Sequence, residues 1–278
     1  MKILPYEAYV KSVLETGGYE TPEGRCHRPW KAGSAASIRY CLCILRMVAS
    51  CSFSNLFGRF NHRRWAKATW NSVAVAEAMG SHVTIEGFRN RAAHQGPVIY
   101  VANHSSTLET MALPSLLMPF GKVGIVLKKS LDEMPFVGKA VRAVGSIAVT
   151  RTNPREDLKT VLTEGEKRVR DGLSIILFPQ GTRQSVFHAK KFNSLGAKLA
   201  ERAGVPLVAV ACRTDFLQKG KKGLLEDFGA VTPTLPLQFA CSPLYEPELG
   251  AKEMQARAVA FIGEKLKAWG LPVEEGQA

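Results

Sequence analysis

The stretch Pro97-Val98-Ile99-Tyr100-Val101-Ala102-Asn103-His104-Ser105-Ser106-Thr107-Leu108-Glu109 changes character halfway along. Its first six residues form a short apolar run rich in β-branched and aromatic side chains, which is the composition of a buried strand. From Thr107 the pattern becomes helical, and a helix is expected over 107–118. A strand that passes directly into a helix is the repeating unit of an α/β sheet.

The same alternation recurs on both sides. Strands are expected at His82–Glu86, Pro97–Ala102, Gly124–Lys128, Ser146–Thr150, Ser174–Phe178, Leu207–Cys212 and Leu237–Cys241. Helices fit between or after them at 135–144, 154–171, 192–203 and 250–269. Gly204-Val205-Pro206 supplies the stop signal between the third of these helices and the next strand. The sequence therefore predicts an α/β domain over 80–278, with a central, mostly parallel sheet flanked by helices. Functional loops in such sheets sit at strand ends.

Residues 1–79 read differently. The first 24 look like a loosely structured lead-in closed by Thr21-Pro22-Glu23-Gly24. From Arg25 to Ala76 there are nine basic residues (Arg25, Arg28, Lys31, Arg39, Arg46, Arg59, Arg63, Arg64 and Lys67) and no acidic one. Trp30, Phe53, Phe57, Trp65 and Trp70 are interleaved with them. Two helices are expected, near 34–55 and 60–79, forming a hairpin suited to an anionic membrane interface. The competing reading is a hairpin packed on the body with a solvated basic face. The Tyr40–Phe57 stretch holds Arg46 and several polar residues, short of the roughly 18–20 uninterrupted apolar residues of a spanning helix.

The whole chain of 278 residues is 46% hydrophobic and carries a net charge of +13, which fits a polyanionic partner. The basic run lies in apolar sequence without a nucleic-acid reader motif, so nucleic acid is not expected. Its six cysteines have neither zinc-site spacing nor the density of a secreted disulfide scaffold; reduced thiols in a cytosolic compartment are expected. Residues 1–24 carry four glutamates and no apolar run, so no signal peptide is expected.

Two places concentrate chemistry. His104 lies in the strand-to-helix loop, and Glu109 follows five residues later. A carboxylate on one ring nitrogen fixes the tautomer and leaves the other nitrogen as a general base. Equally, Ser106-Thr107-Leu108-Glu109 reads as a capping box, with Glu109 closing the helix and His104 incidental. The second place is Phe178-Pro179-Gln180-Gly181-Thr182-Arg183, a strand running into a turn with a hydroxyl and a planar cation. Exposed N–H groups, Thr182 and Arg183 suit a phosphate; taken alone, the segment is an ordinary surface turn. The chain has no nucleophile elbow, P-loop or dinucleotide fingerprint.

Taken together, H-x-x-x-x-[D/E] and F-P-x-G-T-R in this order and spacing resemble the glycerolipid acyltransferase family that includes the 1-acylglycerol-3-phosphate acyltransferases. Lys128-Lys129-Ser130-Leu131, Pro135-Phe136-Val137-Gly138 and Gly145 to Arg151 resemble its second motif region, and Val205 to Val210 its fourth. The resemblance covers about residues 80–215. It implies a peripheral O-acyltransferase at the cytoplasmic face of the membrane, moving a fatty acyl group from acyl-CoA or acyl-ACP to a lysophospholipid, with lysophosphatidic acid as default acceptor. His104 is then the base and Glu109 its orienting carboxylate. Gln180, Gly181, Thr182 and Arg183 bind the acceptor phosphate, with Arg151 and Lys128 beside them. The oxyanion falls to N–H groups near Gly181 or near Ser105–Ser106. No cofactor and no metal are implied. Glu109 stands where the family usually has Asp, and Gln180 where it usually has Glu. The first change still lets the acid reach the ring; the second removes a charge beside Arg183 and bears on the acceptor. Another acceptor, such as a lyso-ornithine lipid, or a non-catalytic lipid-binding relative are the alternatives.

Overall fold

A computed structural model of the protein describes residues 3–25, 29–135, 137–220 and 229–274. Cys26 and Arg28 of the basic stretch and Phe136 of the second motif region lie outside the described residues. In chain order, α1 (Tyr6–Thr16) and β1 (Tyr19–Glu20) precede a long hairpin, α2 (Ser34–Leu56) and α3 (His62–Met79). The alternation that follows is β2 (Val83–Glu86), α4 (Arg89–Ala93), β3 (Ile99–Ala102), α5 (Leu108–Leu117), β4 (Val123–Lys128), α6 (Lys129–Asp132), α7 (Val137–Ala143), β5 (Ile147–Val149) and α8 (Pro154–Arg170). The chain continues through β6 (Ser174–Leu177), β7 (Phe187–His188), α9 (Leu195–Ala203), β8 (Leu207–Arg213), β9 (Leu237–Cys241), α10 (Gly250–Ala268) and β10 (Val273–Glu274).

Eight strands form one sheet in the order β1-β2-β9-β8-β3-β6-β4-β5. Pairing is parallel throughout except at β1–β2 and β8–β9. The central strands are buried on both faces, which is why they read as continuous apolar runs. Alternate residues serve opposite layers. Tyr100 and Ala102 face the core shared with α1, α3 and α5, while Ile99 and Val101 face α9 and α10. On the second side Gly196 lets α9 approach β3, because a Cβ there would stand 2.3 Å from Val101 Cγ1. Caps match their signals: Asn153 Oδ1 accepts from Glu156 N at 3.4 Å with Pro154 next in line, and Gly204 closes α9 at φ 64°.

The lead-in expected to be loose is ordered structure. Tyr9 and Val13 of α1 are fully buried. The Tyr9 ring stacks on Trp70 at 4.6 Å and its hydroxyl donates to the Leu116 carbonyl at 2.8 Å, so α1 bridges α3 and α5. The buried Glu77 carboxylate accepts from Tyr19, from Thr21 at 2.9 Å and from Arg25 at 2.6 Å, fastening β1 and the following turn to α3. Packing is continuous across residues 79 and 80, since α3 and α5 share one core.

The hairpin itself matches the expected helices. Tyr40, Ile44 and Met47 of α2 are buried, while Ile38, Leu42, Leu45, Phe53 and Leu56 are exposed, Phe53 to 66%. By length and composition α2 is apolar enough to cross a membrane, with 22% of its most apolar window buried. The helix starts at Ser34, ahead of the Tyr40–Phe57 stretch, and still carries Arg39 and Arg46.

Candidate active site

The parallel strands β3, β4, β5, β6 and β8 deliver their carboxyl ends to one edge of the sheet. His104 follows β3, Lys128 ends β4, Arg151 follows β5, the Phe178–Arg183 turn follows β6 and Thr214 follows β8. Residues dispersed over a hundred positions are thereby neighbours.

His104 is fixed on several sides. Its Nδ1 lies 3.3 Å from Glu109 Oε2, and its ring stacks on Phe178 with centroids 4.4 Å apart. Its backbone is clamped by the second motif: His104 N–H donates to Gln180 Oε1 at 2.6 Å, and Gln184 N–H donates to the His104 carbonyl at 2.9 Å. Gln180 thus holds the backbone of His104. His104 is 9% exposed.

Glu109 makes both of the contacts that its spacing allowed, to the imidazole and to the N–H groups ahead of α5. Its carboxylate is fully buried and accepts from Ser105 N at 3.1 Å, Ser105 Oγ at 2.6 Å, Ser106 N at 3.0 Å and the Thr214 hydroxyl. The N–H bonds cap α5, and Oε2 meets the imidazole. Burial alone pushes the Glu109 pKa up; hydrogen bonds from His104, Ser105 and Thr214, with the His104 charge, outweigh it and hold the acid below its usual value. Thr214, fully buried at the end of β8, escaped sequence reading. Its one available signal was its place just past a strand's carboxyl end.

The turn after β6 is shaped by Gly181, at φ 72°, a conformation that L residues rarely adopt. Its N–H donates to the Phe178 carbonyl at 3.0 Å. Both N–H sets offered for the oxyanion are therefore engaged: Gly181 closes its turn, and Ser105 and Ser106 bind Glu109. Arg183 Nη1 donates to the Thr107 hydroxyl, tying the turn to the first turn of α5. Thr182 is exposed.

Arg151 takes the left-handed conformation (φ 63°), the single non-glycine residue to do so among those described. Asp157 in the first turns of α8 accepts from Arg151 N at 2.7 Å, Thr150 N at 2.8 Å and Thr150 Oγ1 at 3.0 Å, and so fixes that conformation. Burial lowers the Arg151 pKa, Asp157 opposes this, and the neighbouring Arg183 charge lowers it further. The two arginines line different cavities, Arg183 the first described below and Arg151 the second. Lys128 is exposed at the same edge and lines neither adjoining cavity.

Those cavities flank the turn. One, of about 590 Å³, is lined by Asn103, Ser105, Gln180, Arg183, His188 and Lys191 among others. The other, of about 460 Å³, has apolar walls from Val126, Val149, Leu158, Leu177 and Phe178, with Arg151 and Lys198 also lining it. His104 lies between, its chain neighbours lining the first and its stacking partner the second. No group of three His, Cys, Asp or Glu side chains placed to hold a metal occurs among the described residues.

The Ser105 hydroxyl donates to Glu109 and not to the imidazole, whose Nδ1 faces the same carboxylate. Residues 81–213 match the model of the family described as Acyltransferase. A 1-acyl-sn-glycerol-3-phosphate acyltransferase from Pseudomonas aeruginosa is 28% identical over 212 residues, 76% of this chain and 75% of its own length. One from Chlamydomonas reinhardtii is 31% identical over 151 residues, 54% of this chain and 44% of its own. Among solved structures, the 1-acyl-sn-glycerophosphate acyltransferase of Thermotoga maritima shares the fold with a TM-score of 0.59 at 18% identity, covering 86% of this chain and 100% of that one. The matched region, residues 81–213, contains His104, Glu109, Arg151 and the turn after β6.

Proposed function

We propose that the protein transfers a fatty acyl group from a thioester, acyl-CoA or acyl-ACP, to the free hydroxyl of 1-acyl-glycerol-3-phosphate. The observation that carries this reading is the 3.3 Å contact of His104 Nδ1 with the buried Glu109 carboxylate. With Nδ1 turned to Glu109, Nε2 takes the proton from the acceptor hydroxyl. The hydroxyl oxygen forms a C–O bond to the thioester carbon; as the tetrahedral adduct collapses, the C–S bond breaks and the imidazolium returns its proton to the leaving thiolate. Glu109 stabilises the imidazolium between the two transfers.

Arg183, on the wall of the cavity that Asn103 and Ser105 also line, binds the acceptor phosphate, with Arg151 across the turn as a second cation. The apolar cavity of about 460 Å³ accommodates an acyl chain. The exposed apolar side chains of α2 and the surrounding basic residues hold the protein peripherally on the cytoplasmic face of an anionic membrane. A different lyso-lipid acceptor is the second reading, favoured by the neutral Gln180 on the wall of the polar cavity.

Labelled acyl-CoA incubated with purified protein and a panel of lyso-lipids tests both. Transfer to lysophosphatidic acid that is lost in His104→Ala supports the first reading. Transfer to another member of the panel alone supports the second, and hydrolysis or transfer unaffected by His104→Ala refutes the mechanism.

A further inference from the structure

Away from the site, a groove runs along the seam between α2 and α3. One part, of about 560 Å³, lies over Leu42, Cys43, Met47, Ala68 and Val75, with Arg39 and Arg46 on its rim. A second part, of about 260 Å³, continues past Ser50, Ala68 and Asn71, which line both, to Phe60, Arg64 and Lys67. An apolar channel with cations along its edge matches a molecule that has a hydrocarbon chain and an anionic head.

Its two ends differ in charge. At one end Lys67 is paired with Glu7, which neutralises part of the field there. At the other, neither Arg39 nor Arg46 has a carboxylate within 4.0 Å among the described residues, and the chain carries no acid between Arg25 and Ala76. The two arginines stand seven residues apart on α2, about 10 Å along the axis on the same face. The Arg39 guanidinium lies 4.8 Å above the Trp30 ring, an aromatic platform of the kind that sits at headgroup level. The groove opens beside the exposed apolar face, since Leu42 belongs to both.

We propose that this groove seats one anionic phospholipid of the bilayer, with an acyl chain between α2 and α3 and its phosphodiester between Arg39 and Arg46. This rests on the membrane association proposed above and goes beyond it, because the lipid is held singly and selectively instead of forming part of a diffuse field. Tyr40, next to Arg39, meets Phe216 edge-on at 5.1 Å, and Ser37 Oγ accepts from Val231 N at 3.0 Å. The seated lipid is thus joined through α2 to the loop that carries Thr214.

The test uses the full chain with vesicles of phosphatidylcholine, with and without phosphatidylglycerol, and native mass spectrometry of protein extracted from them. One retained phosphatidylglycerol per wild-type chain is expected, in preference to phosphatidylcholine. Ala68→Trp fills the groove without changing charge and should retain none. Arg39→Gln with Arg46→Gln, both exposed, should lose the headgroup preference, by about 30-fold in affinity if each arginine contributes about 1 kcal/mol. Vesicle binding with no retained lipid, or retention unaffected by Ala68→Trp, overturns the groove alone. Failure of the wild-type chain to bind any vesicle overturns the membrane reading and the groove with it.

Discussion

At His104 the ring is aimed by Glu109 and Phe178 while its backbone is pinned by Gln180 and Gln184. His104→Ala removes only the ring, so turnover should fall by roughly 10²–10⁴ with little change in melting temperature; near-wild-type turnover would refute the base. Glu109 differs, because a glutamine there places an amide N–H₂ against donors already aimed at a carboxylate. Glu109→Gln should lose activity and also about 1–3 kcal/mol of stability. The sign of its pH dependence follows. A carboxyl group held below its usual value of 4.5 stabilises the fold above that pH, and the contribution disappears as pH falls through the lowered value. The melting difference between wild type and Glu109→Gln should therefore be full at about pH 6 and shrink below about pH 4; a difference that grows in acid would contradict the assignment. Thr214→Val removes one donor to Glu109 and should lower turnover more than Thr214→Ser, which keeps the hydroxyl. Equal loss in both would mean that the methyl packing matters and not the bond.

Among the elements, α8 positions a cation it does not contain. Asp157 pins Thr150 and Arg151, so Asp157→Ala should release Arg151 from φ 63° and raise the acceptor KM well above its effect on the donor KM. An equal rise in both, measured by varying each substrate in turn, would make Asp157 merely structural. The seven central strands were legible because each is an apolar run bounded by glycine, proline or charge. α1 was not: its buried residues, Tyr9 and Val13, are too few to announce a helix, and what orders them is Trp70 and Leu116 far along the chain. Thr214 was hidden for a similar reason, since the pairing of Ala102 with Val210 is what draws the end of β8 beside the histidine loop. The His104–Glu109 contact and the arginine turn were visible because local spacing already encodes a strand, a loop and a helix start.

Over the whole molecule, the net charge of +13 acts together with the apolar face of α2. Binding to phosphatidylglycerol vesicles should weaken in high salt without vanishing, as screening removes the Coulomb part and leaves the insertion of Phe53, Leu56 and Phe57. Sedimentation at two ionic strengths reads this directly, and replacing those three residues with serine should abolish the salt-resistant part. Such point changes are the sound probe. Cutting away residues 1–79 would strip α1 and α3 from a core they share with α5.

The short parallel pair β7–β10 has a mechanical consequence. Phe187 N–H donates to the Pro272 carbonyl at 3.1 Å, and His188 Nδ1 lies 2.7 Å from Glu274. Phe187 stands only four residues beyond Arg183, so the segment after α10 is fastened close to the turn that follows β6. Carboxypeptidase trimming back to Leu271 would release that fastening, and the loss should register as a raised acceptor KM well before the sheet melts.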